Sequence, residues 1–459
     1  MNLTQGAVNL GYLIGAVCFI VAFKMLSSPR TAARGNSISA FGMLLAIVIT
    51  VLHTETLNVG MVAAGLGLGA AIGAWLAKTT PMTGMPQMVA LLNGFGGGAS
   101  LFVAGASLHS GDVSQLQALI ATGLSGIVGS VTFWGSLVAY GKLEEWKFLE
   151  GLRMKAHQTA VFTLLTLAVL AMLPMILLPQ AEQWFWISAL ISSLLGVLLV
   201  VAIGGADMPV VICLLNSYSG IAAAATGFVL NNSMLIIAGS LVGASGLILT
   251  QIMCKAMNRS MFNVLLGTMD ASTAAKADDV YGGKVKSASA DELAMLLADA
   301  QSVVIVPGYG LAVSQGQHAL KDLVGKMAAR GTKVTYAIHP VAGRMPGHMN
   351  VLLAEADIPY DQVKEMDDIN PEFKETDVAI VIGANDIVNP MAREPKGNPI
   401  AGMPILDVDH ARTVIVLKRS LSPGFAGIPN PLFALPNTVM FYADGKKGLS
   451  DLAVALRDL

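Results

Sequence analysis

Nine apolar runs fill the first 258 residues, at about 6–25, 37–53, 57–77, 87–108, 116–140, 159–178, 184–204, 209–230 and 233–254. Roughly 20 apolar residues in helical conformation match the bilayer hydrocarbon. A backbone crossing that layer has to satisfy its own hydrogen bonds, so each run is read as a helix. This part of the chain is therefore expected to be a polytopic α-helical membrane domain of about nine transmembrane helices. A chain with 13% charged residues and mean hydropathy +0.64 is too apolar for an ordinary soluble protein. The first run has its basic residues after it rather than before it, the reverse of a cleaved signal, and is expected to stay in the mature chain.

Charge placement gives an orientation. The ten Lys and Arg of this region (Lys24, Arg30, Arg34, Lys78, Lys142, Lys147, Arg153, Lys155, Lys255 and Arg259) lie in alternate loops or at their edges. By the positive-inside rule the N-terminus is then outside and everything after Arg259 is cytoplasmic. A formal net charge of −2 argues against nucleic acid as a partner. Cys18, Cys213 and Cys254 fall inside apolar runs and read as packing residues, not as a disulfide or metal set.

Two of the runs repeat each other. MPQMVALLNGFGGGAS opens at Met85 and MPVVICLLNSYSGIAA opens at Met208, which aligns Asn93 with Asn216 and Gly97 with Gly220. Each Asn lies roughly 10 Å into its span by helical rise. Such residues either glue helices together or line a hydrated path about a pseudo-symmetry axis, and both readings stand on sequence alone. No Asp, Glu, Lys, Arg or His occupies the middle of any run. His53, Glu55, His109 and Glu182 lie at outer ends, and Asp207 at an inner mouth, as a charged gate or as a solvated loop residue.

From 259 to 289 the chain turns rich in Ala, Ser, Asp, Lys and Gly without apolar periodicity, and reads as a linker. Residues 290–459 then alternate strand-like runs (302–306, 333–338, 377–382, 413–417, 438–442) with helical stretches, the pattern of a Rossmann-like, doubly wound parallel-sheet α/β domain. The first strand, SVVIV, runs into Pro307, Gly308, Tyr309 and Gly310, and a helix is read over 311–330. A strand, a glycine turn and a helix start offer backbone N–H groups to a phosphate. The third position of the G-x-G-x-x-G pattern is Val313, so the pattern is incomplete.

Other strand ends carry residues suited to a dinucleotide. The second strand ends at His339-Pro340, without the acid that holds a ribose 2′-hydroxyl in NAD-binding folds. Lys418, Arg419 and Ser420 follow the 413–417 strand, and two cations with a hydroxyl suit a 2′-phosphate, which favours NADP over NAD; a solvated strand end is the plainer reading. The 377–382 strand leads into Gly383, Ala384, Asn385 and Asp386, where Asp386 is either a turn residue or an acid whose protonation follows the ligand.

Five long motifs stand out: VPGYGLAVSQ (306–315), HPVAGRMPGHMNVLLAEA (339–356), GANDIVNP (383–390), KRSLSPGFAG (418–427) and MPVVICLLNSYSG (208–220). Through them the chain resembles the β subunit of proton-translocating NAD(P) transhydrogenases over essentially all 459 residues. The resemblance implies that NADP(H) is bound here and NAD(H) on a partner α subunit, with hydride passing between them coupled to proton movement. It further implies a dimer of α–β units in the bacterial inner membrane, surrounded by lipid. Gly308, Tyr309 and Gly310 carry over as the nucleotide loop, and Val341, Ala342, Gly343, Arg344, Met345 and Pro346 as nucleotide contacts beside His339. Lys418, Arg419 and Ser420 carry over as the 2′-phosphate clamp, Asp386 as the acid near the nicotinamide, and Asn216 and Asp207 as coupling residues.

Two positions depart from the family pattern. Asn93 stands where some members have histidine, which assigns the protonatable relay group to a partner subunit. Phe425, after Gly424, stands in the closing loop where the family usually has Tyr, so that loop closes without a phenolic hydrogen bond. A transporter or channel with a regulatory nucleotide-sensing domain shares the same hydropathy and glycine loop. A tethered dehydrogenase fits poorly, since nine spans far exceed an anchor.

Overall fold

The computed structural model describes every residue except 1–4, 27, 54–57, 112–114, 150–156, 179–181, 205–206, 267–279, 346 and 395–397; for 5, 29, 30, 59 and 82 it describes the backbone. The contacts form two units, Met1–Ala202 with Ile212–Leu249, and Ile203–Val211 with Thr250–Leu459.

Among the described residues, nine helices are long and apolar enough to cross a membrane. They are α1 (Gln5–Leu26), α2 (Pro29–His53), α3 (Val59–Thr79), α4 (Met85–His109), α5 (Leu116–Leu143), α6 (His157–Leu177), α7 (Gln183–Val201), α8 (Met208–Val229) and α9 (Ser233–Ala256). Each matches one apolar run. The second starts eight residues before its run, at Pro29, a residue favoured in the first helical turn. A helix satisfies its backbone in the headgroup region as well as in hydrocarbon, so its ends do not stop where the apolar residues do.

Small residues let these helices touch backbone to backbone. A Cβ on Gly220 of α8 would lie 2.5 Å from the Gly243 nitrogen and 2.9 Å from the Gly239 carbonyl of α9. The Ser217 hydroxyl donates to the Gly243 carbonyl at 2.5 Å. Gly97 of α4 and Gly129 of α5 approach in the same way, with added Cβ atoms 2.8 and 2.6 Å from the opposite carbonyls. In lipid, where apolar area drives no association between helices, such close packing and the polar bonds it permits hold the bundle. At the ends of α4 and α7, His109 Nδ1 and a Glu182 carboxylate oxygen lie 3.1 Å apart, while Glu55 lies outside the described residues.

The second unit carries a six-stranded, fully parallel sheet in the order β3-β2-β1-β4-β5-β6. Its strands are β1 (Ser302–Pro307), β2 (Lys333–Ile338), β3 (Val363–Glu365), β4 (Val378–Ile382), β5 (Thr413–Lys418) and β6 (Thr438–Tyr442). The β-branched runs of β1 and β4 are buried on both faces, as parallel strands covered by helices must be. β3 escapes the sequence pattern because it is a three-residue edge strand, Val-Lys-Glu, with no apolar run. Around the sheet lie α10 (Ala290–Ala298), α11 (Tyr309–Val313), α12 (Gln317–Ala329), α13 (His348–Glu355) and α14 (Gly445–Asp458).

The single helix read over 311–330 is in fact two. Gln315 takes a left-handed conformation, φ 48°. A Cβ on Gly316 would come within 2.9 Å of the Leu311 side chain and 3.2 Å of the Lys446 nitrogen. The start of α14 occupies the space that a continuous helix would need. Local helix propensity is satisfied by the residues, and tertiary packing overrides it.

Gly220→Val is expected to drive α8 and α9 apart. Thermal unfolding of the detergent-solubilised chain should show a drop of several degrees, the effect of overpacking by roughly 1–3 kcal/mol.

Candidate functional site

In this strand order the crossovers from β1 and β4 leave on opposite faces of the sheet, and a crevice opens between them at the strands' carboxyl ends. The two loops there are pressed together. The Gly308 N–H donates to the Ile382 carbonyl at 2.8 Å and the Gly310 N–H to the Gly383 carbonyl at 2.9 Å. A Cβ on Gly308 would meet the Gly383 carbonyl at 2.5 Å, and one on Gly310 the Gly383 Cα at 2.6 Å. Gly383 itself has φ 62°. The glycines serve loop-to-loop packing, and these two N–H groups are used inside the protein. This corrects the reading in which both would be offered to a phosphate.

Beside this junction lies a cavity of about 610 Å3. Its walls include Tyr309, Val313, Val341, Ala342 and Gly343 on one side, and Ala384, Asn385, Asp386, Lys418, Arg419, Ser420, Gly424 and Phe425 on the other. The structure thus brings together residues of four strand ends that lie more than a hundred positions apart. The Arg344 guanidinium stacks over the Tyr309 ring, 4.5 Å from its centroid, and the Phe425 ring lies 6.3 Å from that of Tyr309. Phe425 is half exposed.

Among the described residues, three members of the sequence-derived set stand apart from the cavity wall: Arg344, which reaches it through the Tyr309 ring, His339 and Met345. His339 is buried, with Nε2 bonded to the Pro404 carbonyl at 2.9 Å and Nδ1 accepting the Val341 N–H at 3.3 Å. It braces the wall and does not line it. Met345 is buried as a packing residue. Pro346 lies outside the described residues. In its place His348 matters: its Nδ1 accepts the Arg344 N–H at 2.9 Å and its ring meets Tyr309 edge-on at 6.1 Å. Sequence reading also missed Ser314 and the Ala443-Asp444-Gly445 turn on the cavity wall. That turn directly follows β6, so the rule that sites gather at carboxyl ends of strands was the available signal.

Electrostatics concentrate at the β4 and β5 ends. Burial pushes the Asp386 carboxyl above the usual carboxylate range, opposed by the Ala426 N–H, the Lys418 cation and the Phe425 N–H. One carboxylate oxygen, Oδ2, accepts the Ala426 N–H at 3.0 Å. The other, Oδ1, is buried with no hydrogen-bond partner among the described residues. A Cβ at Gly424 would strike that oxygen at 2.5 Å, so only glycine fits there. Burial also lowers Lys418 to about 8, with Asp386 opposing the shift. Lys418 bonds the Ser422 carbonyl and stands 5.2 Å over the Phe433 ring. The Asn385 amide is oriented by its neighbours: turned toward Lys418 Nζ (3.1 Å) and the Gly424 N–H (2.6 Å), its oxygen accepts from both. Arg419 and Ser420 are exposed, and the Ser420 and Ser422 hydroxyls are 2.8 Å apart.

The donor set fits a nucleotide with an extra phosphate: an exposed guanidinium, a hydroxyl and an ammonium at one strand end, with an unpartnered carboxylate oxygen at the next. At the end of β2, by contrast, both nitrogens of His339 are taken by backbone, so the imidazole is not available to a ribose hydroxyl.

The membrane candidates are also placed. The Asn93 amide, buried in α4, donates to the Ile212 carbonyl of α8 at 3.2 Å. That carbonyl lies one helical turn before Asn216. A Cβ on Gly96 would collide with the Ser219 hydroxyl. The two repeated helices therefore touch at the repeated motif, although Asn93 bonds backbone and not Asn216. Asp207 is buried, and one terminal nitrogen of Arg259 bonds both its carboxylate oxygens, at 2.9 and 2.7 Å. Burial raises its carboxyl and the Arg259 charge lowers it. The solvated-loop reading of Asp207 is thus replaced by a buried ion pair.

The family model of the NAD(P) transhydrogenase beta subunit matches residues 8–455. The chain belongs to that family. It is 44% identical over 465 residues to the NAD(P) transhydrogenase subunit beta of Rhodospirillum rubrum, covering 99% of this chain and 100% of the relative. The protein of the same description from a named strain of that species matches equally. A transhydrogenase beta subunit is part of an enzyme that handles NAD(P) nucleotides and works with an alpha subunit; with its apolar helices this one is a multi-pass membrane protein.

His339 and His348 both fold with pKa values near 4, lowered from 6.5 by burial. The unfolded chain takes up protons at these positions below pH 6.5 and the folded chain does not, so their stabilising contribution is complete above pH 6.5 and lost as pH falls toward 4. The unfolding midpoint of the full chain should decline over that window. His348→Asn, whose Oδ1 stands where Nδ1 stood, should keep the Arg344 bond and flatten the decline; an equally steep decline would assign it to other groups.

Proposed function

We propose that this chain holds NADP(H) in the cleft between the ends of β1, β4 and β5, while the alpha subunit carries NAD(H). Hydride passes between the two nucleotides, coupled to proton translocation through the membrane helices. The observation that carries the reading is the cluster of Lys418, Arg419 and Ser420 at the end of β5, in one cavity with Asp386 at the end of β4.

When bound, the nicotinamide supplies the hydride chemistry itself. The chain's own residues bind, orient and exclude water. Arg419, Ser420 and Lys418 hold the 2′-phosphate by charge-assisted bonds, the first through a fork suited to phosphate oxygens. Tyr309, stiffened by Arg344, gives a flat wall together with Val341, Ala342 and Gly343. Phe425, on the turn whose glycine admits the Asp386 carboxylate, closes the open side. Asp386 is the acid whose protonation responds to the nucleotide: its raised pKa and unpartnered oxygen are the signature of a carboxyl poised to take up a proton or a bond.

In the membrane, Asn93 and Asn216 lie on the touching helices of the repeat, and Asp207 with Arg259 forms the ion pair at the end of α8. Among the described residues no Asp, Glu, Lys, Arg or His sits at mid-depth of a span. The proton relay group accordingly belongs to the alpha subunit, and the amides with water serve the rest of the path. The working protein is a dimer of alpha–beta units in the bacterial inner membrane, enclosed by lipid, with its N-terminus outside. Residues 1–258 form the translocating domain and 290–459 the cytoplasmic NADP(H) domain, joined by the 259–289 linker, whose last residues from Tyr281 on pack against the sheet.

Hydride exchange between NADH and an NADP analogue, assayed with the full chain and an NAD(H)-binding partner, tests the reading. Rapid transfer is expected only with both present; tight NADP(H) binding without transfer would instead mark the cleft as a regulatory sensor. Arg419→Ala should weaken NADP(H) binding about tenfold to a hundredfold, the loss of one or two charge-assisted bonds, and leave the NAD(H) step unchanged. Asn216→Leu should abolish proton-coupled turnover with NADP(H) binding intact. Normal coupled turnover in that variant would remove Asn216 from the path.

A further inference from the structure

Tyr281 precedes the sheet by about twenty residues, yet its side chain is buried in the sheet domain, 7% exposed. Its ring stacks on Phe433 with centroids 6.3 Å apart and planes 25° apart. Its hydroxyl oxygen accepts the Asn430 N–H at 3.2 Å. Just beyond Tyr281 the chain is pinned to β6. The Met440 N–H donates to the Lys286 carbonyl at 2.8 Å, the Ala288 N–H donates to the Met440 carbonyl at 3.1 Å, and Ser287 pairs with Met440 in a parallel bridge.

Both of Tyr281's partners lead to the cleft. Asn430 is fully buried, and its side-chain nitrogen donates to the Asn385 carbonyl at 3.0 Å while its oxygen accepts the Leu432 N–H at 3.0 Å. Asn385 is the turn residue, φ −139° and ψ −74°, that aims Asp386. Its amide is the group that meets Lys418 and the Gly424 N–H. The other partner, Phe433, carries Lys418 Nζ over its ring. One side chain from the segment before the sheet thus supports the residues behind both the acid and the ammonium of the cleft.

We infer that Tyr281 is a positioning residue for NADP(H), acting through Asn430 on the Asn385–Asp386 turn and through Phe433 on Lys418. The inference rests on the reading of the cleft as the NADP(H) site. Its hydroxyl is the critical part: without it the Asn430 N–H is buried unpaired, and the bond from Asn430 to the Asn385 carbonyl loses its support. The Tyr281 ring alone keeps the stack on Phe433.

Tyr281→Phe, made in the full chain and assembled with its alpha subunit, separates the two contributions. NADPH binding is measured by titration, and turnover with KM for NADPH and NADH separately. The variant is expected to bind NADPH roughly fivefold more weakly, within the range of one lost hydrogen bond, and to raise KM for NADPH while KM for NADH stays the same. A merely structural tyrosine would lower the unfolding midpoint and leave NADPH affinity untouched, and that result would overturn the inference while the NADP(H) site stands. Wild-type complex that fails to bind NADPH would overturn the site and the inference together. Adding Asn430→Ala to Tyr281→Phe should weaken NADPH no further than Asn430→Ala alone, since both act through one link; additive losses would count against that link.

Discussion

The cleft depends on one close approach, that of Gly308 and Gly310 to Gly383. Two backbone hydrogen bonds cross there, and the three Cα atoms leave no room for a side chain. Parallel neighbours whose crossovers run to opposite faces leave a crevice at their carboxyl ends. Here the glycine contact closes the floor of that crevice by locking the β1 loop to the β4 loop. Everything that follows in the chain from Gly383, namely Asn385 and Asp386, is then held at a set distance from Tyr309 and Val313. A methyl group at any of the three glycines would push the two halves of the site apart.

Above that floor, charge and burial divide the work. Lys418 and Asp386 are near enough for each to stabilise the other's charge, and burial weakens both charges. Neither group is fully neutralised by protein partners, since one oxygen of Asp386 has none among the described residues. Such a pair is costly in an empty site and well matched to a ligand that brings its own dipoles and phosphate. Arg419 and Ser420, in contrast, are exposed, and their charge and hydroxyl stay solvated at little cost. The aromatic and cationic stack of Arg344, Tyr309 and Phe425 makes the opposite wall, and the bond from the Arg344 N–H to His348 fixes the loop that carries it.

The membrane unit is governed by a different rule. With no water to satisfy a backbone and no hydrophobic gain from helix contact, helices meet where glycine and serine let them. The α8–α9 contact at Gly220, Gly239 and Gly243 and the α4–α5 contact at Gly97 and Gly129 follow from this. The Asn93 amide gives its donor to a backbone carbonyl of the neighbouring helix, which ties α4 to α8. Polarity inside the bundle thus does structural work.

Much of this was legible in the chain itself. Each of the nine helices matches an apolar run, because the bilayer imposes length and composition on every crossing segment. Five of the six strands coincide with β-branched runs to within a residue, because strands covered on both faces have to be apolar throughout. Lys418, Arg419, Ser420 and Asp386 were identifiable as strand-end residues because sites in such sheets gather there. What the sequence left undecided rests on contacts between distant segments. The break of the helix at Gln315 and Gly316 comes from α14, more than a hundred residues away. The conversion of Gly308 and Gly310 from ligand donors to packing residues comes from the β4 loop. His339 as a brace, His348 as the support of Arg344, and Tyr281 behind Asn430 share that origin. Period and composition report what a segment must bury, whereas only the packed structure decides which neighbour takes each hydrogen bond.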